Sequence, residues 1–84
     1  MNRKPNFVEG TRLDNRLPEI LANRKMSIRE LSRETDITYT MIRDAVQGGR
    51  QSIKYEVLDA ICEVLDVQPG DIYKRIPASD EQQD

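Results

Sequence analysis

The sequence has no histidine, no tryptophan and a single cysteine, Cys62, among 84 residues. A disulfide within the chain is therefore impossible, and a zinc site of the Cys/His kind has no ligand set. Nucleophilic catalysis by a Ser-His or Cys-His pair is excluded for the same reason. One thiol without a bridge fits a reducing compartment, so a cytoplasmic protein is expected. Long apolar runs are missing too: the longest are Ile20-Leu21-Ala22 and Ala60-Ile61-Cys62. A spanning helix needs roughly 20 such residues, so no membrane segment is expected. The first thirteen residues lack the apolar stretch of a secretory leader. There is no Gly-rich phosphate loop, and no pair of acids that the pattern would bury together. The sequence therefore reads as a non-enzyme with no cofactor.

What remains is enough for one small domain, since 37% of the residues are apolar. The net charge of −2 conceals an asymmetry. Residues 1–54 carry eleven Lys and Arg against seven Asp and Glu, a balance of +4. Residues 55–84 carry two against eight, a balance of −6. A basic front half on an acidic back half suits a one-faced anion binder. It is also compatible with an accidental distribution.

Residues 1–12 have no helical period and read as an arm, flexible or docked. Within it, Phe7 and Val8 can form a short docked strand or a dimer contact. Arg3 and Lys4 read as a disordered tag-like end, with an arm tracking a minor groove as the alternative. Residues 78–84 contain no large apolar side chain and read as a disordered acidic tail.

Between them the spacing predicts five short helices. The first covers about Arg16 to Arg24, with Leu17, Ile20 and Leu21 on one stripe, Pro18 in the first turn and Asn15 or Asp14 as cap. Ser27-Ile28-Arg29-Glu30 fits a capping box that opens a second helix ending near Thr35. Asp36 stands where the chain must turn in a left-handed conformation, and Ile37 plugs the corner. Thr38 caps a third helix that stops at Gly48-Gly49. Its apolar stripe is Ile42, Ala45 and Val46, which leaves Tyr39, Thr40, Arg43 and Asp44 on the opposite face. A fourth helix covers about Tyr55 to Leu65, with Leu58, Ile61, Cys62 and Leu65 inward. Its acids Glu56, Asp59, Glu63 and Asp66 read as a solvated back face or a contact for a basic partner. Cys62, inside the apolar stripe, reads as a buried inert thiol. Pro69 starts a last short helix with Ile72, Tyr73 and Ile76 as its apolar contacts, ended by Pro77. The expectation is an all-α, compact five-helix domain over residues 13–77.

Two helices joined by three or four residues, with an apolar plug, cross at a steep angle and project the second helix outward. Such a helix fits the major groove of B-DNA. The segment 28–47 has a large apolar residue at Leu31, a small one at Ser32, a turn residue at Asp36 and apolar residues at Ile37 and Ile42. Downstream, Leu58-x-x-Ile61-Cys62-x-x-Leu65 is followed by Gln68-Pro69-Gly70-Asp71. On these residues the chain resembles the phage-repressor and Cro-like (Xre) helix-turn-helix family, over about Arg16 to Ile76. The downstream ending is similar to that of a compact bacterial and phage subgroup. The departures are Asp36 for the usual glycine, Ser32 for alanine, Ile28 where a glutamine often makes a phosphate contact, and the small Ala45.

The resemblance implies a lambda-repressor-like fold and binding to double-stranded DNA. Tyr39, Thr40 and Asp44 match the family's base-reading positions, with Arg43 beside them. Ser27, Thr38, Gln47 and Arg50 match backbone-contact positions, with Arg29 and Arg16 as neighbours. A guanidinium can pair bidentately with guanine, Thr40 can meet a thymine methyl, and Asp44 can accept from a cytosine amine. A solvated helix surface with an Arg43–Asp44 or Asp44–Gln47 contact is the plain alternative for this face. The expected function is a transcriptional regulator, a repressor acting as a homodimer on a palindromic operator. The alternative is a protein-interaction module on the same fold, binding a regulatory partner through its acidic helix.

Overall fold

The computed structural model describes residues 4–47 and 52–78. The expectations on Arg3, the Gly48-Gly49 stop, Arg50 and the tail beyond Ala78 lie outside the described residues. Five helices follow a short strand and precede another: β1 (Leu13–Asn15), α1 (Leu17–Arg24), α2 (Ile28–Thr35), α3 (Tyr39–Gln47), α4 (Tyr55–Leu65), α5 (Pro69–Ile72) and β2 (Tyr73–Arg75). One core joins them. Leu17 and Leu21 of α1, Leu31 of α2, Ile42 and Val46 of α3, Val57, Ile61 and Leu65 of α4, and Ile72 of α5 are all buried.

Local chemistry accounts for the helix boundaries. At α2, the Glu30 N–H donates to Ser27 Oγ at 3.0 Å, and the Ser27 N–H donates to Glu30 Oε1 at 2.9 Å. Three helices close in the same way. Lys25, Asp36 and Asp66 take left-handed φ values of 55°, 60° and 56°. In each case the next N–H reaches back to the helix: Met26 to Leu21, Ile37 to Ser32 and Val67 to Cys62, at 3.0, 3.2 and 3.1 Å. This is a Schellman closure, in which an apolar residue two past the helix packs back onto it. Met26, Ile37 and Val67 are those residues, and all three pack against the core.

The all-α expectation needs correction, because β1 and β2 form a two-stranded antiparallel ribbon with Leu13 opposite Arg75 and Asn15 opposite Tyr73. Tyr73 and Ile76 therefore do not continue the last helix. The chain leaves the helix at Ile72, whose carbonyl accepts from the Arg16 N–H at 2.7 Å, and the Ile76 N–H donates to the Arg12 carbonyl at 2.9 Å. Three-residue strands carry no period that a sequence scan can read. On the other side of β1, Phe7 bridges Asp14, and the Val8 N–H donates to the Leu13 carbonyl. The Arg12 guanidinium lies 4.5 Å from the centre of the Phe7 ring.

Asn15 lies at the junction and is 4% exposed. Its Oδ1 accepts from the Leu17 N–H at 3.0 Å, so it caps α1 from one residue before the geometric cap, Arg16. Its Nδ2 donates to the Ala45 carbonyl, also at 3.0 Å, and ties the last turn of α3 to the ribbon. A buried amide with both ends satisfied holds its neighbours in one geometry.

A second correction concerns the fourth helix. The buried line is Val57, Ile61 and Leu65, while Leu58 and Cys62 are half-buried at the edge of the core. The helix has apolar residues on an arc wide enough for either line, and packing against α2 and α5 selected one of them.

Candidate nucleic-acid interface

Helices α2 and α3 pack against each other across Asp36-Ile37-Thr38. The corner is fixed from inside. Ser32 is half-buried, and its hydroxyl donates to the Ile37 carbonyl, which answers the polar group placed where a small apolar residue is usual. The Thr35 hydroxyl donates back to the Leu31 carbonyl at 2.8 Å. The Ile42 N–H donates to the Thr38 carbonyl at 3.1 Å and starts the ladder of α3.

With Ile42 and Val46 buried and Ala45 half-buried, α3 leaves Tyr39, Thr40, Met41, Arg43 and Gln47 exposed. Tyr39 is linked to α2, since the Arg29 guanidinium lies 5.1 Å from the centre of its ring. Arg43 Nη2 lies 3.5 Å from Asp44 Oδ1, and both side chains are about half exposed. Asp44 is half-buried. It borders a cavity of about 120 Å³ with Asn15, Met41, Lys54 and Tyr73 among its lining residues. That volume is well below the several hundred cubic ångströms of a usual ligand site, so the exposed helix face is the candidate site, not the cavity.

The remaining expected residues divide. Ser27 and Arg29 stand at the start of α2, Thr38 stands just before α3, and all three are exposed. The Ser27 oxygen already accepts from Glu30, and its hydroxyl proton can still be donated. Arg16 already has a partner. Its Nη2 is paired with Glu19 at 3.0 Å, and it borders a groove with Asn23, Arg24, Asp71 and Lys74, to which α2 and α3 contribute nothing. Met41, at 38% exposure, belongs to the outward face and was missing from the candidates. The signal was available, because Met41 falls outside the Ile42/Ala45/Val46 stripe.

Among the described residues no cluster of acidic or cysteine side chains is arranged to hold a metal, and no helix is long and apolar enough to cross a membrane. The Cys62 thiol is pushed above its usual range, first by burial and then by the carboxylates of Asp59 and Asp71. It stays protonated near neutral pH, which lowers its reactivity.

A short amphipathic helix, a three-residue corner and a second helix with its polar face outward form the helix-turn-helix arrangement. Residues 16–78 match the Cro/C1-type HTH DNA-binding domain. The chain belongs to this Cro/C1-type family. A relative in Bacillus subtilis (strain 168), named uncharacterized HTH-type transcriptional regulator YozG, is 43% identical over 53 residues. The match covers 63% of this chain and 63% of that protein. No solved structure gives a match. In this Cro/C1-type domain the matched segment begins at Arg16, so the docked arm and β1 lie before it. The domain's DNA-binding character accords with an α3 whose exposed side chains can donate, accept and make apolar contacts.

Proposed function

We propose that the chain is a sequence-specific regulator of transcription that reads double-stranded DNA with α3. It acts as a homodimer on a two-fold symmetric operator and represses where that operator overlaps a promoter. The observation that carries the reading is the exposed set Tyr39, Thr40, Met41 and Arg43 on a helix held at a fixed angle by a closed corner.

In this reading Arg43 swings from Asp44 to the acceptor edge of a guanine, and Asp44 is left to accept from a cytosine amine. Asp44 thus holds Arg43 until the right base pair is present, and repels phosphate elsewhere. Thr40 and Met41 offer methyl groups to thymine. Ser27, Arg29, Thr38 and Gln47, with Arg50 in the following loop, contact phosphates and set the register. Arg29 also steadies the Tyr39 ring. Arg16 is kept from this role by Glu19 unless DNA displaces that partner. Two copies would place their α3 helices about one helical turn of DNA apart.

The test is selection of bound sequences from random duplexes at about 50 and 200 mM salt, the range over which phosphate-driven affinity collapses. Recovery of a two-fold symmetric motif at the higher salt is the expected outcome. A folded protein that retains no duplex at either salt would end this reading.

A further inference from the structure

Leu58 and Cys62 are half-buried against the core, and with Val67 their outer parts floor an open groove. Asp59, Glu63 and Asp66 stand along it, all exposed. Tyr55 closes one end and is 85% exposed, the most exposed large apolar side chain among the described residues. Positions 55, 58, 59, 62, 63 and 66 recur at helical spacing, so the groove follows the whole length of α4. No Lys or Arg lines it, and no residue of α2 or α3 contributes to it. Its volume of about 430 Å³ gives room for a few side chains.

Charge decides among the occupants. Nucleic acid is repelled by three carboxylates. A second copy seated groove to groove would bring two acidic linings together with no Lys or Arg on either to offset them. A segment bearing Lys or Arg would gain from the acids and would cover the apolar floor with its own side chains.

We propose that the α4 groove docks a basic, amphipathic segment of another protein, with its cations over Asp59, Glu63 and Asp66 and its apolar side chains on Leu58, Cys62 and Val67. The domain then carries, apart from α2 and α3, an acidic surface for a protein partner. This proposal does not rest on the DNA reading, and the two are tested separately.

The probe is a short synthetic peptide with leucines at helical spacing and lysines elsewhere, titrated into the isotope-labelled full chain and followed by amide shifts. Shifts confined to residues 55–69 are expected. Affinity should fall about tenfold in the Asp59→Lys/Glu63→Lys double variant, given the modest worth of each exposed pair. A milder Asp59→Asn/Glu63→Gln variant repeats the test should the reversal disturb folding. Equal binding of a peptide with alanines for its leucines would mean unspecific charge attraction and would overturn the proposal. Shifts spread over Glu9, Glu34 and other acids, or no shifts, would do the same. A change in oligomeric state on charge reversal, measured by sedimentation, would assign the groove to self-contact and overturn it as well. Duplex binding by the same variants reports on α3 independently.

Discussion

Helices α3 and α4 bury similar aliphatic lines and differ in what they leave outside. α3 buries Ile42 and Val46 and exposes Tyr39, Thr40, Met41, Arg43 and Gln47. α4 buries Val57, Ile61 and Leu65 and exposes Tyr55, Glu56, Asp59 and Glu63, with no cation anywhere along it. They also end differently. Asp66 closes α4 with its own backbone, whereas the Ala45 carbonyl in the last turn of α3 is taken by the side chain of Asn15 from the ribbon. Burial alone therefore does not distinguish the helix proposed to read DNA from the one proposed to bind a partner. The exposed chemistry and the source of rigidity do.

The largest way to break this comparison is Asn15→Leu. It leaves the Leu17 N–H and the Ala45 carbonyl without their partner, which costs about 2–4 kcal/mol in denaturant unfolding. Hydrogen exchange should quicken in α3 more than in α4. Equal effects on both helices would mean that Asn15 serves the core as a whole.

Next in size is the contrast between Arg43→Ala and Glu63→Lys. Loss of Arg43 should weaken binding to the selected operator about 10- to 150-fold, the usual value of one bidentate base contact. Glu63→Lys should change it less than about threefold, since salt screens charges beyond roughly 10 Å. Fluorescence anisotropy with one duplex measures both.

A smaller effect sharpens the role of the Arg43–Asp44 pair. Asp44→Asn should tighten binding to unrelated duplexes about two- to fivefold, the worth of an exposed ion pair, and narrow the gap to the operator. Unchanged discrimination would leave Asp44 as a solvated side chain.

The helix ends offer a comparison within about 1 kcal/mol. Asp36→Gly and Asp66→Gly each relieve a left-handed side chain, and each should raise the melting temperature. Similar gains are expected because both closures have the same hydrogen bonds.

The least effect concerns pH. Burial, with the nearby acids, raises Cys62, and burial followed by the Cys62 charge raises Tyr73. The folded chain holds these protons longer than the unfolded chain does. Their contribution is complete below the usual thiol value and is lost as pH rises through and beyond it. Chemical unfolding above about pH 9 should therefore show declining stability, and Cys62→Ala should remove the first part of the decline.

Much of the helical layout was legible. The Ser27/Glu30 box, the left-handed Asp36 with Ile37 behind it, and the Tyr55–Leu65 span depend on residues within a few positions of one another. The same closure at Lys25-Met26 and Asp66-Val67 is equally local but was not read, because lysine rarely takes the left-handed region and Asp66 falls in register with the acids of α4. For the candidate site, the outward set on α3 followed from the position of Ile42 and Val46. The Arg16–Glu19 pair and the Arg29–Tyr39 stacking did not, because side-chain partners on a surface depend on competing neighbours.

The sequence by itself determined the spans of α1, α2 and α4 and most of the side chains that α3 presents, Met41 excepted, because capping and periodicity act over one or two turns. Only the tertiary structure decided that residues 13–15 pair with residues 73–75. The same holds for Asn15 in joining α1, α3 and the ribbon, and for the rotation of α4 that buries Val57 and leaves Leu58 and Cys62 as a groove floor. Each of these turns on contacts between segments far apart in the chain. A three-residue strand or a wide apolar arc satisfies several such contacts equally well until the rest of the core selects one.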